Sequence, residues 1–416
     1  MTQQFVFRNL QLLDPRFDEV RGGYEVLIEG DKIREVSARP IKAASAATID
    51  CGGKTLMPGL IDCHVHIFLV EVGIARLEAM PLTLLSAKAS VLMRQMLDRG
   101  FTTVRDTGGA DWGIKEAVEH GTLPGPRLFI SAQAIGPTGG HTDARRRTQF
   151  GTGQQLGCHC CDALSFITGI ADGVDGVRYA VREQMRQGAD QIKIMLSGGV
   201  ASPWDPLDSL QYSIPEICAA VEEAQAFGRY VCAHAYSPEA ITRGVANGVR
   251  TIEHGNLIDE PSAKLMAEHK AFMVANLVTY YKMKEKGSVL GMSDSQLEKN
   301  DLVIEGGLRS LEICKRAGVP VGFGTDLLGK LQVHQSEEFL YRARVLSPLE
   351  IIRQATLVGA QIVRQEGKLG VIEPGAFADL IVIDGNPLKD LGLFQDQGAH
   401  LSAIMKGGAW HKNRLT

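Results

Sequence analysis

The chain predicts an α/β fold: a (β/α)8 TIM barrel with a small β-sandwich domain formed from both termini. Three observations lead there. Through the middle of the chain, apolar strand-like runs alternate with helix-patterned stretches, and the runs number eight; eight βα units on one sheet close a barrel. Residues 1–57 and 367–416 carry strand and turn signals instead. A doubly wound sheet, the competing arrangement, needs a glycine-rich phosphate turn after its first strand, and none is found there.

In chain order, residues 4–9, 24–29 and 32–36 read as short strands, with Glu29-Gly30-Asp31 as a hairpin turn, and 47–50 continues the pattern. Residues 379–383 and 401–406 are apolar strands around Asp384-Gly385-Asn386-Pro387. Neither end can bury a core alone, so the two are expected to pair into one domain, 1–57 with 367–416. The barrel then occupies residues 58–366. Its strands are expected at 60–66, 102–105, 128–132, 191–196, 230–234, 251–253, 272–276 and 319–322, separated by helices such as 87–99, 174–187, 214–227 and 238–247. A long insertion, 136–172, comes after the third strand, and loops of that size usually serve a site.

Composition narrows the function. At 416 residues the chain exceeds one ordinary core, and 44% hydrophobic, 22% charged and net charge −4 describe a soluble globular protein. No basic stripe points to nucleic acid, and no apolar run reaches the length of a membrane span. The start lacks a signal-peptide pattern, and eight cysteines in so long a chain make no disulfide framework, so the cytoplasm is the expected setting. The oligomeric state is left open, a homo-oligomer included.

Chemistry first surfaces at Gly59-Leu60-Ile61-Asp62-Cys63-His64-Val65-His66. Alternation along a strand puts Asp62, His64 and His66 on one side, where two neutral imidazoles can grip one cation. Other chemistry-bearing residues stand at the C-terminal ends of expected strands, where barrels carry their sites: Lys193, His234, His254 and Asp326. Each has a plainer reading: His234 or His254 as a buried hydrogen-bonded histidine, Asp326 as a helix cap. Lys193 demands more, because a lysine inside an apolar strand is costly unless paired or modified. The run Cys158-His159-Cys160-Cys161 is too tight for four ligands on one tetrahedral ion, so a reduced loop or a lid is the expectation there.

This set resembles the amidohydrolase superfamily over nearly the whole chain, including Gly375-Ala376-Phe377-Ala378-Asp379-Leu380 near the end. The resemblance implies a binuclear metal centre held by His64, His66, Lys193, His234, His254 and Asp326, with Lys193 carboxylated to a bridging carbamate. Three further segments are similar to prolidase-type dipeptidases related to imidazolonepropionases: Arg105-Asp106-Thr107-Gly108-Gly109, Gly139-Gly140-His141 and Ser197-Gly198-Gly199. In that group the positions of His141 and Tyr236 hold the substrate carboxylate. The resemblance therefore implies a small-molecule hydrolase of Xaa-Pro or Xaa-hydrophobic dipeptides or N-acyl amino acids, with Asp326 as general base then acid. It would use two divalent ions, zinc favoured by the histidine-rich set, with Mn or Co able to take the same ligands. Alternatives are an amidase for an aromatic amide or carbamate, an imidazolonepropionase-like hydrolase of a cyclic amide, which does not need Lys193, and a scaffold that has lost its ligands. All six ligand positions are present, against the last.

Overall fold

The computed structural model describes residues 3–72, 76–77, 79–143, 145, 167–202 and 204–415. The Cys158–Cys161 run lies outside the described residues. Among the described residues, eight strands of the barrel succeed one another in chain order, Leu60–Val65, Phe101–Asp106, Arg127–Ile130, Ile192–Met195, Val231–Ala235, Thr251–His254, Phe272–Ala275 and Val321–Phe323, with two short parallel strands, Ala134–Gly136 and Thr168–Ile170, between the third and the fourth. Successive strands pair in parallel register from the fourth to the eighth and from the first to the third. Backbone contacts span the two remaining seams: Ala134–Gly136 pairs in parallel with the fourth strand, and Thr325 N–H donates to His64 O at 3.4 Å. Asp190 N–H donates to Ile130 O at 2.7 Å, and Asp326 N–H donates to His64 O at 2.9 Å, joining the eighth strand's end to the first. The result is a TIM-like barrel.

Two strands depart from expectation for local reasons. The third stops at Ile130, because Ala132 takes a left-handed φ of 55° and breaks the pleat; pairing resumes at Ala134–Gly136. The eighth begins only at Val321. Gly318, at φ 77°, closes the helix Asp294–Ala317 in a left-handed cap that occupies Val319, and Pro320 has no N–H to offer a ladder. Helices at Ile214–Ala226, Glu260–Glu268, Asp294–Ala317 and Pro348–Arg353 start on capping boxes at Ser213, Asp259, Ser293 and Ser347, which satisfy their first orphan N–H groups.

The two ends of the chain share one eight-stranded sheet. Its seam is Leu380–Ile383, antiparallel to Thr55–Pro58 on one side and Leu401–Lys406 on the other. Alternation divides this strand between two cores: Ile381 and Ile383 join the barrel's apolar cluster, while Leu380 and Val382 join Phe5, Phe7, Val26 and Ile28 in the sheet's own. Thr55–Pro58 runs through Gly59 directly into the first barrel strand. A side chain at Gly59 would meet Thr102 Oγ1 at 2.1 Å, so this turn requires glycine.

Candidate metal centre

His64 and His66 emerge at the C-terminal end of the first strand with their outer nitrogens engaged. Glu253 Oε2 lies 2.8 Å from His64 Nδ1, and the Gly108 carbonyl 2.8 Å from His66 Nδ1. Neither acceptor carries a proton as a carboxylate or carbonyl, so both imidazoles hold hydrogen on Nδ1 and turn Nε2 inward. There the two Nε2 atoms meet Asp326 Oδ1, at 3.5 and 3.3 Å. These three residues offer ligand atoms within 4.8 Å of one another. Gly324 makes the approach possible, since a Cβ there would sit 3.0 Å from His64 Cβ and closer still to Val274 and Asn276.

His254 and His234 extend the cluster, with ring centroids 4.9 Å from His64 to His254 and 4.5 Å from His254 to His234. His254 Nδ1 is 2.9 Å from Tyr280 Oη, and His234 Nε2 is 3.0 Å from the Gly198 carbonyl. Both His254 and Asp326 sit at left-handed φ, 74° and 51°. Such strain in non-glycine residues persists where the surroundings over-determine it, and it concentrates at functional sites. For His254 its effect is plain: Glu253 and Thr251 face Arg105 inside the barrel, so regular alternation would turn His254 outward.

Lys193 is 2% exposed and has no hydrogen-bond or ion-pair partner among the described residues. Burial is the main force lowering its pKa, against the pull of Glu253 and Asp326. Burial likewise holds His64, His234 and His254 well below the usual imidazole value, with Lys193 adding to each. Burial resists ionisation of Asp326, but His64, His66 and Lys193 outweigh it and keep the carboxyl below its usual range. At His66 burial is outweighed by Asp326, and the pKa rises. The neutral imidazoles of His64, His234 and His254, beside an ionised carboxylate, are donors of the kind that divalent cations take.

His141 stacks on His234 at 4.3 Å and 24°, and its Nδ1 lies 2.7 Å from Ser202 Oγ and 3.9 Å from Asp205 Oδ2. The glycines of Ser197-Gly198-Gly199 make room for it: a Cβ on Gly199 would sit 2.0 Å from His141 Cε1. Burial pushes the His141 imidazole down to about 4, against the Asp205 charge. Tyr236, 2% exposed, packs 4.9 Å from His234 and 5.2 Å from His254, and its hydroxyl is 2.7 Å from that of Tyr280. Seven of the eight residues singled out in the sequence thus gather at the C-terminal mouth of the barrel, and the eighth, Lys193, lies inside the fourth strand within electrostatic reach of His64, His234, His254 and Asp326.

Sequence reasoning passes over Glu253 and gives no supporting role to Asp62, Arg105 and Asp106, which it names only in motifs. Fully buried Glu253 accepts from Arg105 Nη2 at 2.7 Å on both oxygens and from Thr251 Oγ1 at 2.6 Å. Asp106 accepts from the backbone N–H groups of Ile67, Gly108 and Ala110, tying the loop that meets His66. Asp62 accepts from Thr325 Oγ1 and Gln335 Nε2 and fixes the Asp326 turn from below. A charged residue placed inside an apolar strand, as Arg105 and Glu253 both are, was the available signal.

Comparison with known proteins agrees with this geometry. An ochratoxinase from Aspergillus niger is 31% identical over 370 residues, covering 86% of this chain and 75% of its own length. A crystal structure described as an amidohydrolase superposes with a TM-score of 0.95 at 51% identity, covering 99% of each chain. A prolidase crystallised with N-methylphosphonate-L-proline gives a TM-score of 0.95 at 47% identity, covering 99% of this chain and 100% of the other. The model of the amidohydrolase family matches residues 55–409, from the strand that feeds the barrel to the last strand of the shared sheet, and the chain belongs to that family.

Proposed function

We propose that the chain is a metal-dependent dipeptidase, hydrolysing Xaa-Pro or Xaa-hydrophobic dipeptides or N-acyl amino acids at the amide bond. The observation that carries this is the convergence of His64, His66, His254 and Asp326, with His234 and Lys193 beside them, under a mouth flanked by His141 and Tyr236. The 47% identity to a prolidase crystallised with a proline phosphonate supports the substrate class.

The six residues His64, His66, Lys193, His234, His254 and Asp326 would hold two divalent ions, zinc favoured. Lys193 fits the role of a bridge once carboxylated. Only a neutral amine adds to carbon dioxide, and burial favours the neutral form of Lys193. When bound, the ions supply Lewis acidity, which polarises the scissile carbonyl and makes water a nucleophile at neutral pH. Asp326, held ionised, accepts the proton of the attacking water and returns it to the leaving amine nitrogen. His141 and Tyr236 orient the free carboxylate of the substrate. The remaining organisation belongs to the same proposal: residues 1–57 and 367–416 as one domain around a barrel of 58–366, in the cytoplasm. The described cysteines Cys51, Cys63, Cys218, Cys232 and Cys314 are free, in keeping with a reducing compartment. No helix among the described residues is long and apolar enough to cross a membrane.

A second reading is an amidase for an aromatic amide or carbamate, and the relative named ochratoxinase supports it. One comparison tests the carboxylate anchor behind the first. Dipeptides are expected to be cleaved well and their C-terminal amides poorly, because one lost charge-assisted hydrogen bond removes roughly 1.5–3 kcal/mol, about ten- to a hundredfold in kcat/KM. Tyr236→Phe narrows that ratio. Equal rates on acid and amide, unchanged in Tyr236→Phe, rule out the anchor.

A further inference from the structure

The two residues assigned to the substrate carboxylate come from separate loops, yet one turn of one helix supports both. Helix Asp294–Ala317 presents Gln296, Lys299 and Asn300 on a single face, at the i, i+3, i+4 spacing. The Lys299 ammonium donates to three backbone carbonyls of the loop that houses His141: Gly199 at 2.7 Å, Ser202 at 2.7 Å and Asp205 at 3.0 Å. An ammonium has three donors, and all three are used. No carboxylate bonds it among the described residues, so the side chain fills a carbonyl cage in the manner of a bound cation. Gln296 Nε2 adds a fourth tie to the loop, donating to the Ala201 carbonyl at 2.5 Å.

That loop carries Ser202 Oγ, 2.7 Å from His141 Nδ1, and Gly199, whose missing side chain leaves the space that the His141 ring occupies. On the other side, Asn300 Nδ2 donates to the Tyr280 carbonyl at 3.0 Å, and the Tyr280 hydroxyl lies 2.7 Å from that of Tyr236. We infer that Lys299 is a positioning residue for substrate selectivity. It ties down Gly199, Ser202 and Asp205, and with Asn300 on the same turn it sets the distance between His141 and Tyr236, so that the pair discriminates a free carboxylate from its amide. This deepens the proposed function and rests on the carboxylate-anchor reading.

Lys299→Ala, Gln296→Glu and the parent protein are to be compared on one dipeptide and its C-terminal amide, in parallel with metal content. Gln296→Glu keeps the oxygen that accepts from Ser293 N–H but loses the donor to Ala201, so the helix start is preserved. For Lys299→Ala the expected result is a KM for the free acid raised about tenfold, with kcat, the amide's KM and bound metal within about twofold. Gln296→Glu shifts KM the same way by a smaller factor, and it carries the test alone if Lys299→Ala does not fold. Ethylammonium should restore the acid's KM in Lys299→Ala by entering the vacated cage, and tetramethylammonium, which has no N–H, should not. A parent enzyme that prefers the acid, with variants that retain its full preference, overturns the role of Lys299 alone. A parent enzyme indifferent to acid and amide overturns both the anchor and the inference. Equal loss on acid and amide, with no response to ethylammonium, reduces Lys299 to a stabilising contact and also overturns it.

Discussion

At the scale of single residues, Glu253 decides which nitrogen of His64 faces the centre. Its carboxylate accepts at 2.8 Å from Nδ1, and Arg105 supplies the counter-charge through two contacts of 2.7 Å in a fully buried pair. Glu253→Gln keeps the shape but leaves the Arg105 charge buried without its counter-charge. Breaking a buried pair from one side costs about 3–5 kcal/mol of stability, and loss of an outer partner of a metal ligand lowers metal affinity about ten- to a hundredfold. Urea unfolding of the chelated protein and competition with a chromogenic chelator measure the two effects. Unchanged affinity would remove Glu253 from any role at the centre. Protonation gives a second test at this scale. His64, His234 and His254 have pKa values held by burial well below the unfolded value of 6.5. As pH falls below 6.5 the unfolded chain takes up protons that these rings refuse, so the stability they contribute is present above 6.5 and lost beneath it. His66, raised, works in the opposite sense but is one ring against three. Chelated protein should therefore unfold at less urea as pH drops below that value; a midpoint that rises instead would contradict the neutral cluster.

At the scale of elements, the segment Ser197-Gly198-Gly199 and the strand ends govern what can approach what. Gly199→Ala puts a methyl 2.0 Å from His141 Cε1, so the imidazole must move off its stack on His234. The expected outcome is a kcat/KM on the free dipeptide lowered about tenfold or more, with metal content unchanged. Activity and elemental analysis on one preparation check it, and undisturbed kcat/KM would show that His141 has no part in binding. Element by element, much of this was legible in advance. Apolar runs located all eight strands, with His64, His66, His234, His254 and Asp326 at or just beyond their C-terminal ends and Lys193 inside the fourth. What stayed hidden depends on backbone angles and on chain brought in from afar. No pattern of residue types announces φ 74° at His254 or the break at Ala132. Nor does local sequence reveal that Lys299 reaches three carbonyls about a hundred positions away, since a lysine on an amphipathic helix reads as a solvated charge.

At the scale of the whole molecule, the barrel gathers the six proposed ligands from five of its strands. Asp326 N–H bonding to His64 O at 2.9 Å closes the ring, so the last ligand to leave the chain meets the first. The shared sheet, sewn by Leu380–Ile383 onto Thr55–Pro58, leads straight into the strand that bears the histidine pair. The proposed metal binding would therefore draw on contacts between residues more than 250 positions apart, as in the Thr325–Asp62 hydrogen bond, and bound metal should stabilise the chain as one unit. The most direct measurement is the metal content of active protein purified without chelator, by elemental analysis, for the parent chain and Lys193→Ala. About two divalent ions per chain are expected in the parent, with Lys193→Ala losing metal and activity together. A single equivalent per chain at full activity, undiminished in Lys193→Ala, would contradict a binuclear centre bridged by Lys193.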